Sequence, residues 1–192
     1  MNTAKAEVTS YVNEQVKKAA PRNLLYNSDF RNPVNQRGKT SWNNVGFTID
    51  KWNLIHVGDS GVSLSDDGIT FGVTNNLVLF VQQMPEDQRK QLIGKTVTLV
   101  VTISSGQVIV LSVVVPEFGI DLDPQKPGTP DGLLVDIYTH STTRTLDIRI
   151  LSGTILAPVT VQNIALYEGE YTIDTLPKYQ PKGYEQELLI CR

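Results

Sequence analysis

Apolar and polar residues alternate along most of the chain after residue 46, and this period of two predicts β-strands. In residues 96–103, valine, leucine and isoleucine occupy every second position, with threonine at most positions between them. Residues 145–150 repeat the pattern. Further strands are predicted at residues 52–57, 62–65, 69–73, 77–83, 108–115, 133–140 and 159–167. About nine short strands separated by turns indicate an all-β fold, an antiparallel β-sandwich, with one or two helical turns at residues 85–92.

Residues 108–115 depart from this alternation because both faces of the predicted strand are apolar. A strand in a two-layer sandwich has a polar outer face unless something covers it. We expect the cover to be either the N-terminal helix or a neighbouring subunit. In the second case Val110 and Val114 are interface residues.

The first twenty residues have a helical period instead. Val8, Val12 and Val16 are spaced four apart, polar residues lie between them, and Pro21 ends the pattern. We expect a helix over residues 3–20, which divides the chain into an N-terminal helix at 1–21 and a sandwich domain at 22–192. The helix either packs on its own domain or serves as a short self-associating stalk or docking helix.

Composition excludes several classes of protein. The chain has 192 residues, 17 basic and 20 acidic, for a net charge of −3, and no basic cluster of the kind that binds nucleic acid. No apolar run approaches the length of a membrane span, and the N-terminus lacks the order of a secretory signal, so we expect no membrane insertion. The single cysteine, Cys191, cannot form an internal disulfide or a cysteine-based zinc site.

The sequence contains no constellation typical of an enzyme. Residues 58–61 read GDSG, as around a trypsin-like nucleophile, but the nearest upstream histidine, His56, is two residues away, so a turn is the better interpretation. His56 and His140 have no metal-ligand spacing. The carboxylates in the proline-rich stretch 116–132, Asp121, Asp123 and Asp131, lack the order of a calcium loop. We expect a non-enzymatic protein without a cofactor, in which a structural calcium is a minor alternative.

Residues 23–54 carry a more specific signal. They include NLLYNSDF at 23–30, NPVNQRG at 32–38 and GFTIDKW at 46–52. This order resembles the opening of a jelly-roll domain found in many bacteriophage tail and fibre proteins, NLLxNSDFxNPVNQRG followed by GYTIDRW. Phe47 and Lys51 are its two departures, and both conserve bulk or charge. Later segments at 92–99 and 161–169 continue the resemblance, although carbohydrate-binding modules share them. Residues 184–192 resemble the family's closing segment.

The resemblance implies a jelly-roll structural component of a virion, belonging to a tail fibre, baseplate or head fibre. Such a protein would be made in the host cytoplasm and displayed on the particle as a homo-oligomer, with a trimer expected because phage fibres are commonly trimers. Its partners would be other virion proteins and a host-surface glycan. The alternatives are a carbohydrate-binding module of a glycan-active protein and an architectural collar or spike without a ligand.

A glycan site would combine an aromatic face with amide side chains. Trp42 is the first candidate because it lies in the loop 41–46, where the family pattern is variable; the alternative is that Trp42 caps the edge of the core. The other candidates are Asn43, Asn44, Tyr26 and Tyr138, together with Gln36 and Arg37. Trp52 falls in the family's conserved strand and is expected in the core.

Overall fold

The computed structural model describes residues 21–117, 127–139 and 145–191. The predicted N-terminal helix, with Val8, Val12 and Val16, therefore lies outside the described residues. The same holds for Asp121, Asp123 and His140.

The described residues form eleven strands and two short helices, and the predicted antiparallel β-sandwich is confirmed. The strands are β1 (Ser41–Trp42), β2 (Gly46–Phe47), β3 (Asn53–Val57), β4 (Val62–Ser65), β5 (Gly68–Phe71), β6 (Val78–Met84), β7 (Thr96–Ile103), β8 (Val108–Val114), β9 (Leu134–Thr139), β10 (Leu146–Ser152) and β11 (Val159–Glu168). The helices are α1 (Glu86–Leu92) and α2 (Tyr184–Cys191). The two-residue strands β1 and β2 and the helix α2 were not predicted.

Two antiparallel sheets form the layers, with strand orders β1-β4-β5-β11-β7-β8 and β2-β3-β6-β10-β9. Alternate residues of both sheets point into one apolar core. An aromatic cluster at its centre joins Trp52, stacked on Phe80 at 4.9 Å between ring centroids, to the edge of Phe30 at 5.2 Å. Trp52 is fully buried, which confirms its predicted core position.

The family-like segment at residues 23–30 continues the six-stranded sheet where β5 ends. Backbone hydrogen bonds run from Leu24 N to Leu166 O at 2.9 Å and from Phe30 N to Gln162 O at 2.8 Å, so the segment lies beside β11. The Asn23 side chain supports it by accepting from Leu166 N at 3.0 Å. The segment is thus part of the framework.

Asn27 fixes the turn that follows. Its Nδ2 donates to Val34 O at 2.8 Å and to Asp50 O at 2.7 Å, while its Oδ1 accepts from Val34 N at 2.6 Å. Its own carbonyl accepts from Trp52 Nε1 at 2.9 Å. The residue has a φ of +48°, which asparagine tolerates better than most residues. One buried amide therefore ties the segments around residues 27, 34 and 50 together.

The cover over the outer face of the six-stranded sheet comes partly from this chain's own C-terminal segment. Three residues of that segment, Tyr171, Leu176 and Tyr179, pack against a buried cluster formed by Val100, Ala165 and Tyr167. Sequence reasoning offered only the N-terminal helix or a neighbouring subunit for this role. The C-terminal segment leaves Val114 on β8 57% exposed, so it does not reach the far end of that edge strand.

Candidate functional site

The residues predicted to bind a ligand fall in three separate places. Trp42, Asn43 and Asn44 lie at the edge of the sandwich formed by β1 and β2, Tyr26 lies beside α1, and Tyr138 lies on β9. Because β2 and β9 are opposite edges of the five-stranded sheet, four strand spacings separate them, about 19 Å. These residues do not form one site.

Trp42 belongs to the core, which is the second of the two roles that the sequence left open. Its side chain is 6% exposed and packs within the main apolar cluster between the sheets. In this position its ring has no free face for a sugar. Gly61, at a φ of +70°, allows the backbone of β4 to approach closely, because a Cβ there would lie 2.7 Å from Trp42 O.

The exposed aromatic at this edge is Phe47, which sequence reasoning did not select. Phe47 is 61% exposed and its neighbour Val45 is 66% exposed. A shallow hollow of about 150 Å³ lies beside them, and Lys39, Ser41, Trp42, Asn43 and Asn44 complete its lining. The edge patch is defined here as Arg37, Lys39, Asn43, Asn44, Val45 and Phe47. It combines one free aromatic surface, two amides and two cations.

Contacts made by Arg37 and Asp50 fix the geometry around Phe47. The Arg37 guanidinium carbon lies 5.3 Å from the Phe47 ring centroid, within the range of a cation–π contact. Arg37 Nη1 also donates to Asp50 Oδ1 at 2.9 Å, and Gln36 N donates to Asp50 Oδ2 at 2.8 Å. Asp50 is only 5% exposed, so its charge is directed into these contacts and away from solvent. The patch is therefore preorganised and presents positive charge outward.

Tyr26 takes part in a structural network. The Gln82 side chain accepts from Tyr26 N at 2.9 Å and donates to Tyr26 O at 2.7 Å. Gln88 Nε2 donates to the Tyr26 hydroxyl at 2.8 Å, and Lys182 Nζ lies 4.6 Å from the ring centroid. Tyr26 also lines a cleft of about 320 Å³ beside α1. Its ring and hydroxyl are engaged by protein groups, which leaves little for a ligand.

Tyr138 is half-buried and also has a protein partner on its ring. The Arg149 guanidinium carbon lies 3.7 Å from the ring centroid, and Arg149 Nη2 lies 3.7 Å from Asp147 Oδ2. This stacking occupies one aromatic face. Tyr138 therefore contributes to the outer surface of the five-stranded sheet rather than to the edge patch.

A cleft of about 620 Å³ lies where residues 21–23 meet residues 180–190. Its aromatic residue, Tyr167, is 3% exposed and offers no stacking face. Lys182 in its wall is partly buried, which lowers the pKa of its ammonium. This ammonium donates to Leu25 O and lies 3.9 Å from Glu187 Oε1, so it is committed to holding α2 against the domain.

The GDSG segment at residues 58–61 has a structural role. Residues 58–60 form the predicted turn, and the Ser60 hydroxyl donates to Val73 O. Hydrogen bonds from Asn75 N and from the side chains of Asn76 and Thr74 lower the pKa of Asp59.

Within 21–117, 127–139 and 145–191, no group of three or more histidine, cysteine or acidic residues is placed to hold a metal ion. No helix in those ranges is long and apolar enough to span a membrane.

Comparison of this chain with protein-family models, with curated proteins and with solved structures finds no match. The resemblance of residues 23–54 to phage tail and fibre domains therefore stays a prediction from sequence.

Proposed function

We propose that this protein is a non-enzymatic structural component of a bacteriophage particle, displayed on its surface as an oligomer, that contacts host-surface glycan through the edge patch. The exposed Phe47 ring carries the proposal. A sugar presents an apolar C–H face that stacks on an aromatic ring, while amides bind its hydroxyl groups. Phe47 with Asn43 and Asn44 supplies this combination on a rigid sandwich.

A shallow site of this kind functions best when many copies of the protein are displayed on one particle. A hollow of about 150 Å³ can bury only part of a sugar unit, so a single contact would be weak. Several copies on one particle raise the effective concentration of sites and convert weak contacts into strong attachment. We expect a homotrimer, as the resemblance to phage fibre proteins implies, and expect it to bury the exposed end of β8 at Val114.

The test of this proposal is made on purified particles of the virus that encodes the chain. Gold-labelled antibody against the protein is expected to decorate the particle surface, and an excess of the free protein is expected to compete with particles for adsorption to host cells. Phe47→Ala protein is expected not to compete. Particles that lack the protein would contradict the proposal and favour a carbohydrate-binding module of a glycan-active protein. Decorated particles whose adsorption is unaffected would favour an architectural role.

A further inference from the structure

The edge patch has a charge that differs in sign from that of the whole protein. Residues 37–58 contain Arg37, Lys39 and Lys51 against one acid, Asp50, a net charge of +2 in a chain whose total is −3. By contrast, the loops 58–61, 72–77 and 153–158 contain no lysine or arginine. Of these cations, Arg37 lies over the exposed Phe47 ring and Lys39 lines the hollow beside it.

The single acid of this region does not offset the positive charge facing solvent. Asp50 is 5% exposed and accepts from Arg37 Nη1 and from Gln36 N. Within the described parts of the chain, neither Lys39 nor Lys51 has an ion-pair partner. Both lysines are exposed. Among the residues that the structure describes, these two ammonium groups thus have no carboxylate partner.

Lys51 is held in a backbone conformation that lysine rarely adopts. Its φ is +71°, in the left-handed region, at the turn closed by Trp52 N donating to Ile49 O at 3.2 Å. This turn connects β2 to β3, with Phe47 paired to Asn53 at its base. A glycine or asparagine would fit the backbone with less strain. Residues held in strained backbone conformations occur often at functional positions.

From these observations we infer that the edge patch recognises an acidic polysaccharide, one whose sugars carry carboxylates. The inference rests on the proposed attachment function and specifies its ligand. The Phe47 ring contacts the apolar face of a pyranose, and Lys39 of the patch pairs with the carboxylate of that sugar. Lys51, in the turn between β2 and β3 that adjoins the patch, pairs with the carboxylate of an adjacent sugar. Asn43 and Asn44 bind hydroxyl groups. A neutral glycan would leave the two lysines without a role.

The test uses the full chain and three immobilised probes: polygalacturonate, its fully methyl-esterified form, and dextran. The ester retains the galacturonate ring and removes the charge. We expect polygalacturonate to bind at least tenfold more tightly than the ester in 20 mM salt, and the difference to shrink in 200 mM salt because exposed charges are screened. Lys39→Gln combined with Lys51→Asn is expected to weaken polygalacturonate binding about tenfold and to leave binding of the ester unchanged.

Two controls accompany this test. The first asks whether any loss of surface lysines weakens binding, and the second asks whether the edge patch is an interface between copies of the chain. Lys90→Gln combined with Lys178→Gln removes two exposed lysines outside the edge patch and is expected to change binding less than twofold. Light scattering of Phe47→Ala is expected to give the wild-type mass. A lower mass would overturn the inference, because the patch would then be an interface between copies of the chain.

The remaining outcomes distinguish this inference from the proposed function. Equal binding of polygalacturonate and its ester, or no binding of polygalacturonate in 20 mM salt, would overturn the acidic-glycan inference. If the protein still competed with particles for host cells and Phe47→Ala did not, the attachment function would stand with a neutral ligand. If Phe47→Ala competed as well as the wild type, the attachment function itself would fail.

Discussion

Replacing Asn27 tests most sharply how the family-like N-terminal segment holds the fold. Asn27→Ala removes three side-chain hydrogen bonds, to Val34 N, Val34 O and Asp50 O, in a site that is 2% exposed. At about 1 kcal/mol each, these bonds account for about 3 kcal/mol. Alanine also tolerates the φ of +48° poorly, at a cost of about 1–2 kcal/mol. We expect the free energy of unfolding to fall by about 3–5 kcal/mol.

Asn27→Gly separates the two contributions. Glycine loses the same hydrogen bonds but adopts positive φ without strain, a gain of about 1–2 kcal/mol, offset by about 0.5–1 kcal/mol of additional chain entropy. We therefore expect it to be about 0.5–1 kcal/mol less destabilising than alanine. Urea denaturation measures both variants, with a shifted midpoint and an unchanged m-value. Asn44→Ala, at an exposed site, is the control and should change stability by less than about 0.5 kcal/mol.

The result that would refute this reasoning is an Asn27→Ala protein within about 1 kcal/mol of the wild type. The three hydrogen bonds would then add little to the free energy of unfolding, because hydrogen bonds to water in the unfolded chain would be as favourable. A glycine variant less stable than the alanine variant would refute the backbone-strain component alone.

Three further predictions concern the core, the pH dependence and the assembly. Trp42→Ala should lower the free energy of unfolding by about 3–5 kcal/mol in urea, whereas Trp42→Phe should cost less because the indole Nε1 has no hydrogen-bond partner among the described residues; an alanine variant of wild-type stability would contradict the core position. Asp59 has a lowered pKa in the folded state, so its carboxylate stabilises the fold above its unfolded pKa, near 3.9, and this contribution is lost as the pH falls through the lower folded value. The difference in melting temperature between wild type and Asp59→Asn should therefore shrink between pH 6 and pH 2, and a constant difference would contradict the assignment. Light scattering should give about three times 21.3 kDa for the wild type and a monomer for Val114→Asp, with Ile173→Asp as the exposed control; a monomeric wild type would contradict the trimer.

The regular strands could be predicted from sequence because burial on one face imposes a period of two. The alternation in β7 and β10 predicted their positions to within two residues. The strands β1 and β2 have two residues each, too short for any period to appear. The C-terminal segment at 169–182 was missed as a cover because it is irregular, and its contacts through Tyr171 and Tyr179 follow no spacing.

The candidate site shows the same limit. Trp42 and Phe47 are five residues apart in one connection between the sheets, and sequence alone does not indicate which ring enters the core. The choice depends on the crossing from β1 in one sheet to β2 in the other, which places Trp42 between the sheets and leaves Phe47 outside. The sequence shows the positive charges of Arg37, Lys39 and Lys51. It does not show that this part of the chain also carries an exposed aromatic ring, Phe47.

The most direct test of the central claim compares Phe47→Ala with Ile173→Ala on a glycan array, with a thermal melt of each protein. Phe47 and Ile173 are 61% and 59% exposed, so both variants should melt within a few degrees of the wild type. The account predicts that Phe47→Ala loses glycan binding, by about fivefold for a single site and by more for an oligomer, because an aromatic contact is worth about 1 kcal/mol. Ile173→Ala should bind as the wild type does. Equal glycan binding by all three proteins, or no binding by the wild type, would contradict the account.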